Sequence, residues 1–95
     1  MSRFRLTWEA KADARAIRSY IANDRPAAAD RLMDDLYDRF RLAAAQPGMG
    51  EACKELGPNL RVFSVGNYVV VFRPMKGGIE VVRIVHGARD LRSLF

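Results

Sequence analysis

The chain has 95 residues, of which 49% are hydrophobic and 28% charged, and its formal net charge is +5. We expect residues 1–95 to fold as a single domain, because a chain of this length and apolar content forms one core. The charge is uneven: residues 60–95 hold six basic and two acidic side chains, a net of +4, whereas residues 1–59 have a net of +1. A basic surface attracts phosphate and acidic protein alike, so direct nucleic-acid binding stays open.

The composition also excludes several classes of protein. Cys53 is the only cysteine, so no internal disulfide can form, which is typical of a reducing compartment. The N-terminal segment carries charge from Arg3 onward and lacks the apolar stretch of a secretory signal peptide. No apolar run approaches the roughly 18 residues of a membrane span. We therefore expect a cytoplasmic protein with no membrane partner.

The N-terminal part predicts a short strand followed by a helix. Residues 3–7 alternate charged and apolar side chains, which is the pattern of a strand. Thr7 is placed to cap a helix, and Glu9 lies in the first turn, where the helix dipole favours an acid. Apolar residues then recur at spacings of three and four, which is typical of one buried helix face. These residues are Ala10, Ala14, Ile17 and Ile21, with Tyr20 beside them.

A second helix is predicted from Pro26 to about Gln46. Proline suits the first turn of a helix, and Pro47 with Gly48 ends the periodic pattern. Since only about three residues join the two helices, they are expected to pack as an antiparallel hairpin. The residues expected to be buried by this packing are Ile17, Tyr20, Ile21, Leu32, Leu36 and Phe40.

The rest of the chain predicts a loop and three antiparallel strands. Residues 47–59 contain three glycines and two prolines, and we expect a loop with one helical turn over residues 52–56. Gly66 and Asn67 form a two-residue hairpin turn between the first two strands. The strands are predicted at residues 60–65, 68–73 and 79–86. The fold class is therefore α+β: a short N-terminal strand, an antiparallel two-helix hairpin, and a three-stranded antiparallel meander forming one small sheet.

The predicted sheet is apolar on both faces. In the middle strand one face presents Tyr68, Val70 and Phe72, and the other presents Val69 and Val71. An antiparallel sheet with one wet face alternates more cleanly than this. Since the helical hairpin covers only one face, we expect the C-terminal tail, a second copy or a partner chain to cover the other.

The charged side chains of the last third are the candidate functional residues. These are Arg61, Arg73, Arg83, His86 and Arg89. Arginines clamp phosphate, and the single histidine is a candidate acid or base for RNA cleavage, but no second histidine pairs with it. The alternative is that His86 bonds to the backbone or a carboxylate at a strand end, and that the arginines solvate one face of the sheet. No spacing suits a metal and no glycine-rich phosphate loop is present, so we expect no cofactor and no metal.

One ordered set of residues along nearly the whole chain matches a known family. The matching positions are Ala10, Asp13, Ile17, Tyr20 and Ile21, then Ala28, Ala29 and Leu32, then Pro47 and Gly50, then Leu60 and Arg61, then Gly66 and Tyr68, and finally residues 82–90. With this set the chain resembles the ParE/RelE superfamily of toxins from type II toxin–antitoxin systems, and most closely its ParE branch.

The resemblance implies a ParE/RelE-like fold and a toxin that a cognate antitoxin silences in a hetero-oligomeric complex. In the ParE branch the implied target is DNA gyrase; in the RelE branch, the alternative, the implied activity is ribosome-dependent cleavage of mRNA. The chain departs from the nuclease pattern, with Val69 where those toxins carry a cation and Leu94-Phe95 at its end. We therefore expect a binding inhibitor with no catalytic residue, whose target-binding patch comprises Arg61, Arg73, Arg83, His86 and Arg89.

Overall fold

The computed structural model describes residues 3–87 and Leu91. Its elements, in chain order, are β1 (Arg3–Leu6), α1 (Trp8–Ala22), α2 (Pro26–Ala45), β2 (Glu51–Ala52), β3 (Arg61–Val65), β4 (Tyr68–Met75) and β5 (Gly78–His86). The strands form one sheet in the order β1-β5-β4-β3-β2, and both helices pack against its inner face. Neither helix in the described part of the chain combines the length and the apolarity needed to cross a bilayer.

The α+β class predicted from the sequence is confirmed, but the sheet is larger than the predicted meander. β1 lies parallel to β5, with Arg3 opposite Gly78, so the N-terminal strand belongs to the same sheet. β2 pairs antiparallel with β3 at the far edge. The described residues therefore contain a five-stranded sheet in which the predicted three-stranded meander forms the central part.

Two glycines permit the additional strand pairings. A Cβ atom at Gly78 would overlap the backbone of Arg3, so only glycine allows β1 and β5 to approach this closely. At Gly50, φ is 79° and a Cβ atom would overlap the carbonyl oxygen of Val62 on β3. This close approach brings Ala52 into a strand, so the helical turn predicted over residues 52–56 does not begin there. A turn follows instead, in which the N–H groups of Leu56 and Gly57 donate to the carbonyl oxygens of Cys53 and Lys54.

Thr7 both begins α1 and attaches it to the sheet. Its Oγ1 accepts a hydrogen bond from the backbone N–H of Ala10 at 3.1 Å, which confirms the predicted N-cap. The same hydroxyl donates to the carbonyl oxygen of Val82 on β5 at 2.8 Å. One side chain therefore sets the position of the helix start relative to the central part of the sheet.

The core lies between the two helices and the inner face of the sheet. Leu36 and Phe40 of α2 are fully buried there, as predicted, and Ala10 and Ala14 of α1 are buried opposite them. The prediction that Tyr20 is buried is wrong, because its side chain is 80% exposed. Tyr20 lies about 100° around the helix from its neighbour Ile21, in the last turn of α1, and so falls outside the apolar stripe. The other predicted residues, Ile17, Ile21 and Leu32, are half-buried.

A β-bulge in β5 adapts its side-chain pattern to the core. The register with β4 shifts between Val71 and Phe72, so that Arg83 and Val81 pair with them and Val82 is the additional residue. Because of this insertion, inward-facing positions on both sides of the bulge point to the helices: Ile79, Val81 and Ile84. On the opposite, outer face Val71 and Val85 are also buried. The predicted cover from the C-terminal tail falls almost entirely on residues 88–95, which, apart from Leu91, lie outside the described residues.

Candidate target-binding surface

Arg83 is held by a carboxylate of the first helix. Its Nε and Nη2 donate to the two oxygens of Asp13 at 2.7 and 3.1 Å, which is a bidentate pair. Hydrogen bonding to Asp13 raises the pKa of Arg83 above its ordinary value, and burial opposes this only in part. Asp13 Oδ2 also accepts the backbone N–H of Ile84 at 2.9 Å. Asp13 therefore joins α1 to β5 through a side chain and a main-chain group.

The position of Asp13 follows from the length of β1. The strand ends at Leu6, and the last backbone bond on that side of β5 is from the N–H of Thr7 to the carbonyl oxygen of Val81 at 2.9 Å. Beyond this point β5 has α1 rather than a strand beside it, and the carboxylate of Asp13 supplies the acceptor that Ile84 needs. The signal in the sequence that could have indicated this role is that Asp13, an acid, lies within the apolar stripe of α1, three residues after Ala10.

Arg73 belongs to a second ionic network, on the outer face. Glu80 lies directly between Arg5 on β1 and Arg73 on β4 in the strand register. Arg73 Nη2 lies 2.6 Å from Glu80 Oε1, and Arg5 Nε lies 2.9 Å from Oε2. The hydrogen bond from Arg73 is the main cause that lowers the pKa of Glu80, with Arg5 contributing and burial opposing. We refer to Arg5, Glu80 and Arg73 as the charge ladder.

Arg61 lies on the other side of the sheet from the charge ladder. It pairs with Phe72, whose side chain belongs to the core, and its guanidinium reaches the loop after α2. It donates to three successive carbonyl oxygens at 2.7 to 3.0 Å, those of Gly48, Met49 and Gly50. Five N–H donors in a rigid fork suit this task, so Arg61 fixes the loop that leads into β2.

His86 lies at the opposite end of β5 from the charge ladder. It pairs with Tyr68 on β4, and the two rings meet edge to face with their centroids 5.3 Å apart. Burial, and secondly the nearby Tyr20, raise the pKa of Tyr68 above its ordinary value. These aromatic residues line an open cavity of about 670 Å³ at the end of α1, which we call the corner groove. Its lining includes Tyr20, Asn23, Arg25, Asn67, Tyr68 and His86.

Comparison with known proteins identifies the family. The family model described as the ParE toxin of the type II toxin–antitoxin system parDE matches residues 4–91. The chain belongs to the ParE toxin family. This confirms the branch that the sequence resemblance indicated.

Individual relatives agree with this assignment. Toxin ParE1 of Mycobacterium tuberculosis, from the strains CDC 1551 / Oshkosh and ATCC 25618 / H37Rv, is 34% identical over 64 residues, which is 66% of this chain. The match spans 65% of the length of these relatives. A solved structure titled "Chromosomal ParDE TA system from P. aeruginosa" superposes with a TM-score of 0.76, covering 92% of this chain and 97% of that chain. At 22% identity this likeness shows a shared fold.

Within this ParE fold, the structure distributes the predicted patch over separate places. Arg83 is bound to Asp13, Arg73 to Glu80, and Arg61 to loop carbonyls. His86 lines the corner groove, and Arg89 lies outside the described residues. Target binding by these five residues therefore stays a prediction.

Sequence reasoning missed the acids that hold the arginines, and it missed the corner groove. Asp13 lies 70 residues from Arg83, and Glu80 lies 75 residues from Arg5, so no local pattern connects these pairs. Only Glu80 and Arg73, 7 residues apart, are close in the sequence. Glu80 offered a weak signal, because it is one of only two acids in residues 60–95. The sequence predicts Tyr20 in the core, whereas the structure places its exposed side chain in the lining of the groove.

Proposed function

We propose that this ParE family toxin acts in the cytoplasm, inhibits DNA gyrase by binding it, and does not cleave RNA. The observation that carries the proposal is the match to the ParE toxin family along residues 4–91. Inhibition by binding requires a complementary protein surface and no group that transfers protons. The candidate surfaces are the open edge of β1 and the corner groove.

The geometry around the single histidine supports binding over RNA cleavage. Cleavage needs an acid, a base and cations around the phosphate. Tyr68 and His86 do lie side by side, but burial raises the pKa of the Tyr68 phenol above its ordinary value, which makes it a weaker proton donor than a free tyrosine. Among the described residues that line the same groove, Arg25 is the one arginine or lysine, and it lies 3.8 Å from the carboxylate of Asp24. The positive charge that could hold a phosphate in the corner groove is therefore partly compensated.

A cognate antitoxin is the second partner that we propose, bound at the open edge of β1. The N–H groups of Arg3 and Thr7 donate to β5, so by strand alternation the N–H and C=O groups of Phe4 and Leu6 point to the open edge. A partner segment that adds a strand there would satisfy these groups.

The chemistry around that edge favours an acidic segment. A cavity of about 640 Å³ beside β1 is lined by Arg3, Arg5 and Lys76 together with the apolar side chains of Phe4, Met75 and Ile79. Cations next to an apolar floor suit a segment that carries both carboxylates and apolar side chains. Such an antitoxin would form a hetero-oligomeric complex with the toxin.

The gyrase proposal is tested with purified protein in a DNA supercoiling assay. We expect dose-dependent inhibition of gyrase, and in cells with tightly controlled expression a DNA-damage response rather than arrest of translation. Primer-extension mapping that finds codon-specific mRNA cuts, lost in His86→Ala, would overturn the proposal and establish a ribonuclease.

The antitoxin proposal is tested by hydrogen exchange on the complex with the purified antitoxin encoded beside the toxin. We expect the amides of Phe4 and Leu6 to exchange more slowly in the complex. Arg5→Glu should weaken binding about tenfold, whereas Lys54→Glu, an exposed cation near the opposite edge of the sheet, serves as the control. Unchanged exchange at both amides would place the antitoxin elsewhere.

A further inference from the structure

The corner groove combines an exposed aromatic side chain with a rigid wall. Tyr20 is 80% exposed in the last turn of α1, and it faces the pair of Tyr68 and His86 on adjacent strands. Tyr68 packs against the core, and Asn67 belongs to the two-residue turn that joins β3 to β4. Side chains on such elements keep their geometry before a partner arrives, so binding there costs little ordering entropy.

The charge of the groove indicates what kind of partner fits it. Asp24 and Arg25 line the groove together and lie 3.8 Å apart, so among the described lining residues one negative charge offsets one positive charge. Within the described residues, the remaining lining groups are phenols, amides, apolar side chains and one imidazole. Nucleic-acid sites derive most of their affinity from uncompensated cations against phosphate. Tyrosines and amides in a near-neutral, concave site are instead typical of the centre of a protein–protein interface.

The groove is also separate from the edge of the sheet at which we place the antitoxin. β1 pairs with residues Gly78 to Val81, whereas Tyr68 and His86 form the pair at the other end of the two central strands. A strand added at the open edge of β1 therefore lies alongside β1, level with the first half of β5. It leaves the lining of the groove in place. The two contacts can be altered separately by mutation.

From these observations we infer that the corner groove is the surface with which the toxin binds gyrase, taking up a near-neutral protein loop whose side chain inserts between Tyr20 and Tyr68. This inference rests on the proposed function and adds to it the contact surface. Tyr20 supplies one face of the site from the helix, and Tyr68 and His86 supply the other from the sheet. The amides of Asn23 and Asn67 at the rim donate to and accept from the backbone of the loop.

The test compares two exposed aromatic residues at opposite ends of α1. Tyr20→Ala removes a wall of the groove, and Trp8→Ala removes a ring that is 76% exposed at the start of the same helix and outside the groove. We expect Tyr20→Ala to raise the toxin concentration for half-inhibition of gyrase supercoiling at least tenfold. Tyr20→Phe should keep most of the inhibition, and Trp8→Ala should change it less than threefold. Thermal stability and antitoxin binding should remain unchanged in all three variants.

The possible outcomes separate this inference from the proposed function. Equal inhibition by wild type and Tyr20→Ala overturns the groove and leaves gyrase inhibition in place. Equal loss in Tyr20→Ala and Trp8→Ala also overturns it, because the effect would then not be specific to the groove. If the wild-type toxin does not inhibit gyrase at all, both the proposed function and the binding of a gyrase loop in the groove are overturned. Binding to a DNA oligonucleotide without gyrase, lost in Tyr20→Ala, would replace the protein loop by a nucleic acid.

Discussion

The two halves of β5 solve the same problem of backbone pairing in different ways. The first half, residues 78–81, has β1 on one side and β4 on the other. The second half, residues 83–86, has β4 on one side and α1 on the other, and the carboxylate of Asp13 accepts the N–H of Ile84 there. A side chain can therefore take over one pairing position of a missing strand. This requires an acid on the helix at the point where the strand ends.

The two halves also use their charged residues differently. In the first half Glu80 serves only side chains, and its partners Arg5 and Arg73 are largely exposed to solvent. In the second half Asp13 binds Arg83 and the backbone in a partly buried place. Exposed ion pairs contribute about 0–1 kcal/mol, whereas loss of an acceptor for a buried backbone donor costs about 1–3 kcal/mol. The second half should therefore be the more sensitive to removal of its acid.

The largest effect is expected from breaking the strand pairing of the first half. Gly78→Ala places a Cβ atom against the backbone of Arg3, so β1 must move away from β5. We expect the free energy of unfolding to fall by about 4 kcal/mol or more, measured by urea denaturation. Gly48→Ala is the control, since a Cβ atom there meets no heavy atom within 4 Å. Equal stability of the two variants would show that β1 does not pair as described.

A somewhat smaller effect is expected in the core beneath both halves. Leu36 is fully buried and belongs to the same cluster as Ile79 of the first half and Ile84 of the second. Leu36→Ala should lower the free energy of unfolding by about 2–5 kcal/mol, through lost burial and the cavity that remains. Leu42→Ala on the same helix, where the side chain is 45% exposed, should cost less than about 1 kcal/mol. No loss in Leu36→Ala would contradict the packing of the helices on the sheet.

The acid of the second half is expected to matter less than the core but more than the charge ladder. Asp13→Ala removes the acceptor of Arg83 and Ile84, and we expect a loss of about 2 kcal/mol in thermal or chemical denaturation. Asp13→Asn should lose less, because the amide oxygen can still accept the N–H of Ile84. Asp35→Ala, an exposed acid on α2, is the control. If Asp13→Ala loses no more stability than the control variant, then the packing of α1, and not the carboxylate of Asp13, completes the second half of β5.

The smallest effect is expected at the charge ladder, and it depends on pH. Arg73 and Arg5 lower the pKa of Glu80 in the folded chain. The contribution of Glu80 to stability is therefore present above the ordinary glutamate pKa of about 4.3, and it is lost as the pH falls through the lower pKa of the folded chain. Glu80→Gln should cost about 0.5 kcal/mol at pH 7, because solvent screens the exposed arginines. The difference from wild type should disappear as the pH falls below about 4.

Denaturation curves recorded between pH 7 and pH 3 measure this difference. Glu55→Gln, at an exposed acid far from the ladder, should show no comparable convergence with wild type. A difference between Glu80→Gln and wild type that grows on acidification would reverse the sign of the argument.

The local elements of this member of the ParE toxin family could be predicted from its sequence because their signals act over a few residues. Thr7 begins α1, Pro26 begins α2, and Gly66 with Asn67 turns β3 into β4, each as the residue types require. The α+β class and the ParE resemblance followed from the order of these elements. Burial of Leu36 and Phe40 followed from helical periodicity.

Only the tertiary structure decided which distant groups meet. The pairing of β1 with β5 and the contact of Asp13 with Arg83 join residues 70 or more positions apart. The bulge at Val82 lies between neighbouring strands, but no local signal in the sequence marks it. That Tyr20 meets Tyr68 and His86 in one groove likewise depends on where α1 ends relative to the sheet. The physical reason is that capping and turn signals act between neighbours in the chain, whereas ion pairs and grooves form between elements, after the burial of the core has fixed how those elements lie.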